Sequence, residues 1–281
     1  GNGAAELFFS IVITEKPKKA LIPVPAFSEY EQALGTVDCQ IRYHMLEDKE
    51  NFRLTERFLD DLTDDLDMAF LCSPSNPAGQ VIPEALLRKV ISRCQEKGIR
   101  LVLDECFIEF ADKEKAFYAE REAAAYPQMF VARAFTKMHA IPGLRLGYGI
   151  TSDTELMERM SRARQPWSVS IPAQEAGIAA LSEEEALKTE KTRILIQAER
   201  ARMEQELAGL GIHVIPSEAN FILMHSSMDL AEKLKGKGIL IRDCGNYRGL
   251  EKGWYRAAVR LPEENDLLLK AVREISERRT Y

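Results

Sequence analysis

Four short apolar runs, at 21–24, 69–72, 99–103 and 129–133, punctuate the first half of the chain. Each is too short for a helix, and each is rich enough in aliphatic residues to pass through a core as a strand. They alternate with helical stretches such as Glu84–Lys97. Such alternation predicts an α/β fold, a mostly parallel sheet sandwiched between helices. From Thr154 the pattern changes to long, charged helix. Over 183–210, Glu, Lys and Arg lace an apolar stripe of Leu187, Ile194, Ala198, Ala201 and Leu207, and the charge run reads as a solvated face rather than a partner site. Short strands at 212–215, 221–224, 239–242 and 254–261, with a closing helix from Glu263, predict a smaller α+β unit. The expected division is a large domain over 1–160 and a small C-terminal domain over 161–281, the boundary falling within 155–168. The sequence shows no internal repeat and no low-complexity linker.

Composition narrows the function classes. A chain of 281 residues with 46% hydrophobic content can bury a large core. Net charge is −6 and the basic residues are scattered, so a nucleic-acid partner is not expected. The apolar segment 7–13 is too short to span a bilayer, ends in Glu15-Lys16 and lacks the basic region of a signal peptide, so no membrane partner is expected. Five cysteines, Cys39, Cys72, Cys94, Cys106 and Cys244, are odd in number and have no paired spacing, which suits a reducing cytoplasm. Cys106 reads as a small buried hydrophobe. His44, His139, His213 and His225 are isolated, so no metal site is expected.

Candidate chemistry lies in clusters at the ends of the apolar runs. Lys137 follows Thr136, and Arg145 comes eight positions later inside Gly143-Leu144-Arg145-Leu146-Gly147. A lysine amine can condense with an aldehyde while a hydroxyl and a guanidinium hold a phosphate beside it, which suits pyridoxal phosphate. Asp104, with Glu105, ends the run 99–103, where open α/β sheets place ligands and where a carboxylate can pair with a pyridinium nitrogen. Asn76 sits in the turn Ser73-Pro74-Ser75-Asn76-Pro77-Ala78-Gly79, which can present its amide at little ordering cost. At the start, Gly1-Asn2-Gly3 runs into Ala4, Ala5 and an apolar stretch, and the amides at a helix start make a phosphate cradle. Phe27, after the strand-like 21–24, can stack on a ring. Singly, each has an ordinary alternative: a surface lysine, an Asp that caps the next segment, an Asn-Pro turn, a core aromatic.

In order and spacing, these motifs together resemble the fold-type-I pyridoxal-phosphate enzymes over essentially the whole chain, within the histidinol-phosphate aminotransferase branch. Three stretches, 140–148, 165–169 and 241–247, are more similar to the threonine-phosphate decarboxylases of cobalamin biosynthesis. The resemblance implies that Lys137 bonds the cofactor aldehyde, Asp104 pairs with the ring nitrogen, Asn76 donates to the phenolic oxygen and Phe27 stacks on the ring. Arg145, Thr136 and the turn at Gly3, Ala4 and Ala5 would hold the cofactor phosphate. It further implies that Arg256 holds a substrate α-carboxylate and Arg242 a substrate phosphate, with Arg260 either assisting or a solvated charge.

Four departures stand out. Phe107 occupies a position often held by Tyr, leaving a ring beside the cofactor with no donor, as the decarboxylases tend to have; Ala134 replaces a hydroxyl residue, and Ala78 a Thr. Family members also carry an arm and a first helix before the glycine turn, whereas this sequence begins at the turn. The arm's cover over the site is expected to be missing, and part of dimer strength and catalytic competence with it. The expected protein is a cytoplasmic homodimer acting on an amino-acid phosphate, its paired sites at the interface near Gly1 and the 140s loop. The reaction is decarboxylation of L-threonine O-3-phosphate or, as the alternative, histidinol-phosphate or related transamination. A cofactor-binding but inactive module is the alternative from another class.

Overall fold

Alternate residues of the first-half strands face opposite ways, and in the computed structural model, which describes residues 1–277, both sets are buried. Ala20, Ile22, Met68, Phe70, Val102, Phe130 and Ala132 point into one apolar cluster, whereas Leu21, Ala69, Leu71, Leu101, Leu103, Met129 and Val131 point into another. A sheet covered on both faces needs such continuous apolar runs, and that is why they do not alternate with polar residues.

In chain order the elements are α1 (Gly3–Glu15), β1 (Lys19–Val24), α2 (Ser28–Gly35), β2 (Gln40–Met45), α3 (Phe58–Asp61), β3 (Met68–Cys72), α4 (Glu84–Lys97), β4 (Arg100–Asp104), α5 (Glu120–Ala125), β5 (Met129–Ala134) and β6 (Gly147–Ile150). There follow α6 (Thr154–Ala163), α7 (Ile171–Ala180), α8 (Glu183–Gly209), β7 (His213–Ile215), β8 (Phe221–His225), α9 (Leu230–Lys235), β9 (Arg242–Asp243), β10 (Trp254–Ala258) and α10 (Pro262–Glu277). The first sheet runs β2-β1-β3-β4-β5-β6, parallel except at β6, and the second runs β7-β8-β10-β9, antiparallel throughout. The α/β architecture with a second, antiparallel sheet is thus as expected.

Strand order reverses at β1, since the chain leaves it to one side for β2 and returns on its other side for β3. Such a reversal opens a crevice at the carboxyl ends of the strands. The apolar segment 7–13 lies inside α1, whose Leu7, Phe8, Ile11 and Val12 are buried.

Three expectations are corrected. The expected strand at 239–242 pairs only through Arg242 and Asp243, because Gly238 turns at φ +77° and only these two residues reach the register of β10. The strand expected over 254–261 stops at Ala258, because the Arg260 N–H is taken by Asn265 Oδ1 at 2.9 Å and the chain turns into α10. In α8, Leu187 and Ile194 of the expected stripe are 68% and 55% exposed, and Ala198 and Ala201 are exposed too. The buried side carries Ile196, Glu199, Arg200, Met203 and Leu207, of which only Leu207 was expected. The charges are correspondingly less solvated than they read: Arg200 donates to Ala219 O at 2.9 Å and pairs with Glu218 at 3.3 Å.

Candidate active site

Asp104 is the last residue of β4 and is only 4% exposed. Its Oδ2 accepts from the Tyr30 hydroxyl at 2.6 Å and its Oδ1 from the Cys106 N–H at 2.9 Å. Burial raises its pKa, and the bonds from Cys106 and Tyr30 and the charge of Lys137 pull the other way. The Tyr30 phenol is held well above its usual pKa, by burial first and then by the Asp104 charge. Tyr30 therefore stays a donor. It also stacks on Phe70 at 5.0 Å and meets the edge of Phe27 at 5.7 Å, tying β3 and the start of α2 to the carboxylate.

Lys137 follows β5 in a turn closed by the Ala140 N–H donating to Lys137 O at 3.0 Å. Its Nζ lies 5.1 Å from the centroid of the Phe107 ring. Asn76 stands in the Pro-rich turn after β3, and Arg256 Nη1 donates to its Oδ1. A guanidinium can only donate, so the carbonyl end of this amide is taken and the NH₂ end is left to serve as donor.

The start of α1 and the 143–147 loop are fitted to each other. Gly3 has φ +77°, and a Cβ there would come within 2.7 Å of Arg145 Nη2; a Cβ on Gly147 would lie 2.8 Å from Ala4 N. Asn2 makes no side-chain cap to α1, and although the Gly3 N–H donates to Gly1 O at 2.9 Å, the amides of Ala4 and Ala5 keep their donors. Arg145, at φ +56°, donates to Pro142 O at 2.9 Å and has no carboxylate partner among the described residues. Uncapped amides plus an unpaired guanidinium are a donor-only surface suited to a phosphate.

The structure gathers Ala4, Ala5, Phe27, Asn76, Asp104, Phe107, Thr136, Lys137 and Arg145 around one cleft of about 550 Å³. Gly3 sits behind it against Arg145. A second cleft of about 850 Å³ shares Phe27, Asn76, Phe107 and Lys137 with the first and adds Asn220, Tyr247, Arg242 and Arg256. Arg242 and Arg256 are directly paired across β9 and β10 and so project from one face of the sheet. Arg260 lines neither cleft, and its Nη2 pairs with Glu264 at 2.7 Å, which favours the reading of a solvated charge. Cys106 lines the first cleft, and burial pushes its thiol well above the usual pKa, which keeps it from acting as a thiolate. Among the described residues no group of three or more His, Cys, Asp and Glu is arranged to hold a metal.

Two residues at the site carried no signal of their own in the sequence. Tyr30 is three positions past Phe27, and only the fold turns its hydroxyl onto Asp104. Asn220 is brought in by the segment before β8, where the Glu218 N–H donates to Gly79 O at 2.7 Å and docks the second sheet on the Asn76 turn.

A mainly parallel sheet whose strand ends present a lysine, a buried carboxylate and a glycine-lined helix start is the arrangement of the fold-type-I pyridoxal-phosphate enzymes. This chain belongs to the aminotransferase class I and II family, whose family model matches residues 1–272. It is 39% identical over 279 residues to threonine-phosphate decarboxylase of Salmonella typhimurium, covering 98% of this chain and 76% of that one. It is 35% identical to histidinol-phosphate aminotransferase of Methanosarcina mazei, over 92% of this chain and 68% of the relative. Among solved structures, histidinol-phosphate aminotransferase from Clostridium acetobutylicum superposes with a TM-score of 0.91 at 31% identity, covering 99% of this chain and 83% of that one.

Proposed function

We propose that this chain binds pyridoxal phosphate and decarboxylates L-threonine O-3-phosphate. The observation that carries the substrate class is the Arg242–Arg256 pair. Two like charges directly opposite on neighbouring strands repel, and here both guanidiniums hydrogen-bond to neutral groups, Arg242 to Asn246 at 3.2 Å and Arg256 to Asn76. A substrate with two anionic ends, carboxylate and phosphate, relieves that repulsion. The relative from Salmonella typhimurium supports the same reading.

The cleft's residues fit the cofactor. Arg145, Thr136 and the amides of Ala4 and Ala5 would hold its phosphate, Asp104 its ring nitrogen, Asn76 its phenolic oxygen, and Phe27 its face, with Lys137 as the covalent anchor. When bound, pyridoxal phosphate supplies an electron sink for whichever bond at the substrate α-carbon stands perpendicular to its ring. The protein's task is to choose that bond. Arg256 would take the α-carboxylate in a planar fork and Arg242 the phosphate, and together they would fix how the substrate α-carbon is presented to the cofactor. Lys137 Nζ is the amine that would carry a proton to or from the substrate α-carbon. Asp104, held in place by the bonds from Tyr30 and Cys106, would pair with the ring nitrogen.

Transamination of histidinol phosphate is the second reading, favoured by the Methanosarcina and Clostridium relatives. It uses the same cleft, and a dicarboxylate acceptor also presents two anions. Product analysis separates the two: carbon dioxide released from threonine phosphate against glutamate formed from histidinol phosphate and 2-oxoglutarate. Neither product, with cofactor bound, leaves the inactive binding module.

We further propose a cytoplasmic homodimer. The five cysteines are all free, as a reducing compartment requires, and no described helix is long and apolar enough to cross a membrane. Trp167 is 98% exposed, and Ile171, Ile178 and Leu181 form an exposed stripe on and just past α7. A patch of this kind calls for a partner, and Gly177 of the same helix packs on Leu146 of the loop that holds Arg145.

A further inference from the structure

Arg242 stands between two cavities. One is the substrate cleft; the other, of about 720 Å³, is also lined by Arg242, with Ser28, Glu31, Asn246, Tyr247 and Arg248. Tyr247 and Arg242 belong to both. The segment between β9 and β10 forms the roof. Its far end is seated on the first sheet, where Gly249, at φ +84°, would put a Cβ in ordinary contact with Val24 O and Pro25 N, both at 3.5 Å. Leu250 is buried beneath it. Arg248 reaches out from this strap to α2 and β2, with Nε 3.1 Å from Glu31 Oε1 and its guanidinium 4.1 Å from the centroid of Tyr43.

Resting on the reading of the larger cleft as the substrate cleft, we propose that Arg248 is a second phosphate-recognising residue, and that Glu31 is its resting partner. The phosphoryl group of the substrate, held by Arg242, projects into the side cavity, where Arg248 exchanges Glu31 for the phosphate oxygens. The exchange suits the charges. A phosphate monoester is close to a dianion at neutral pH, so a single guanidinium leaves it under-neutralised, and it outbids a monoanionic carboxylate for a second one. The Arg248 side chain is 50% exposed, which leaves it free to swing without breaking a core. The Ser28 hydroxyl, now bonded to Glu29 at 2.8 Å, and the Asn246 amide border the same space as neutral ligands. Selectivity for phosphorylated over plain amino acids then comes from both arginines rather than from Arg242 alone.

The test uses the cofactor-loaded enzyme and two variants. In Arg248→Gln, the ratio of kcat/KM for threonine phosphate to that for threonine is expected to fall about tenfold, with inorganic phosphate weakened as a competitive inhibitor by a similar factor. Arg248→Lys should recover part of both. Glu31→Gln releases Arg248 and is expected to tighten phosphate inhibition. Equal losses on both substrates in Arg248→Gln would make Arg248 a strap anchor only and overturn the proposal, as would an unchanged phosphate inhibition constant in Glu31→Gln. If threonine phosphate is not decarboxylated but histidinol phosphate is transaminated, the reaction assignment falls while phosphate inhibition still decides the role of Arg248.

Discussion

Asp104 shows how one residue's environment can serve reaction and oppose stability. Its folded pKa is raised by burial above the usual 3.8, so folding favours the protonated form. A raised folded pKa contributes stability below the unfolded value that is lost as pH rises through the folded one. Above the folded value, an ionised Asp104 therefore opposes folding of the cofactor-free protein. Asp104→Asn is expected to raise its Tm at pH 8, the gain shrinking as pH falls toward 3.8, while turnover of the loaded enzyme drops about a hundredfold, close to 3 kcal/mol of transition-state stabilisation. Thermal melts across pH and steady-state kinetics read the two effects, and an unchanged turnover would remove Asp104 from the chemistry. For Lys137, borohydride reduction followed by peptide mass spectrometry is expected to place a pyridoxyl group on this lysine, with no such label in Lys137→Ala. A label on another lysine would move the anchor.

At the scale of elements, function depends on α1 and β6 meeting without side chains between them. A Cβ on Gly147 would meet Ala4 N and the Gly3 carbonyl carbon, both at 2.8 Å. Backbone cannot yield as a flexible side chain does, so Gly147→Ala must separate the helix start from the sheet. The expected cost is about 1–3 kcal/mol of stability, with weaker cofactor binding as the amides of Ala4 and Ala5 leave the Arg145 side of the cleft. Denaturant melts and a cofactor titration by absorbance follow the two; normal binding in a destabilised Gly147→Ala would detach the α1 amides from the phosphate. The strands tolerate less ambiguity. Their doubly buried pattern made β1, β3, β4 and β5 legible to within two residues at each end, and Glu84–Lys97 is a helix over the expected span. The stripe of α8 was misjudged because Leu187 and Ile194 are apolar, whereas the face that packs includes Glu199, partnered by Arg202 in the same helix and by the distant Asn265, and Arg200, partnered by the distant Glu218 and Ala219 O.

For the whole molecule, the exposed apolar residues of α7 predict association. Ile171 and Ile178, 73% and 69% exposed, are seven residues apart and hence two turns along one helix face. The double substitution Ile171→Glu and Ile178→Glu is expected to shift the protein from dimer to monomer in sedimentation velocity. Pyridoxal phosphate should strengthen the wild-type dimer by mass action if the sites adjoin the interface. A wild-type monomer at all concentrations, with or without cofactor, would refute the dimer.

What the chain determined by itself were the features written in local order. Buried strands need uninterrupted apolar runs, turns at their ends need Gly, Pro and Asn, and the motif residues follow those runs directly. The positions of Asp104, Asn76, Lys137 and Arg145 at strand ends were therefore readable, and the structure brings them to one cleft. Tertiary structure decided what depends on contacts between distant segments. Tyr30 reaches Asp104 across 74 positions, Arg256 reaches Asn76 across 180, and Arg248 reaches Glu31 across 217. Arg260, so close in sequence to Arg256, was turned away because α10 begins beside it and offers Glu264. No periodicity encodes such pairings, because they are set by which strand ends the sheet order places side by side and by how the second sheet docks on the first.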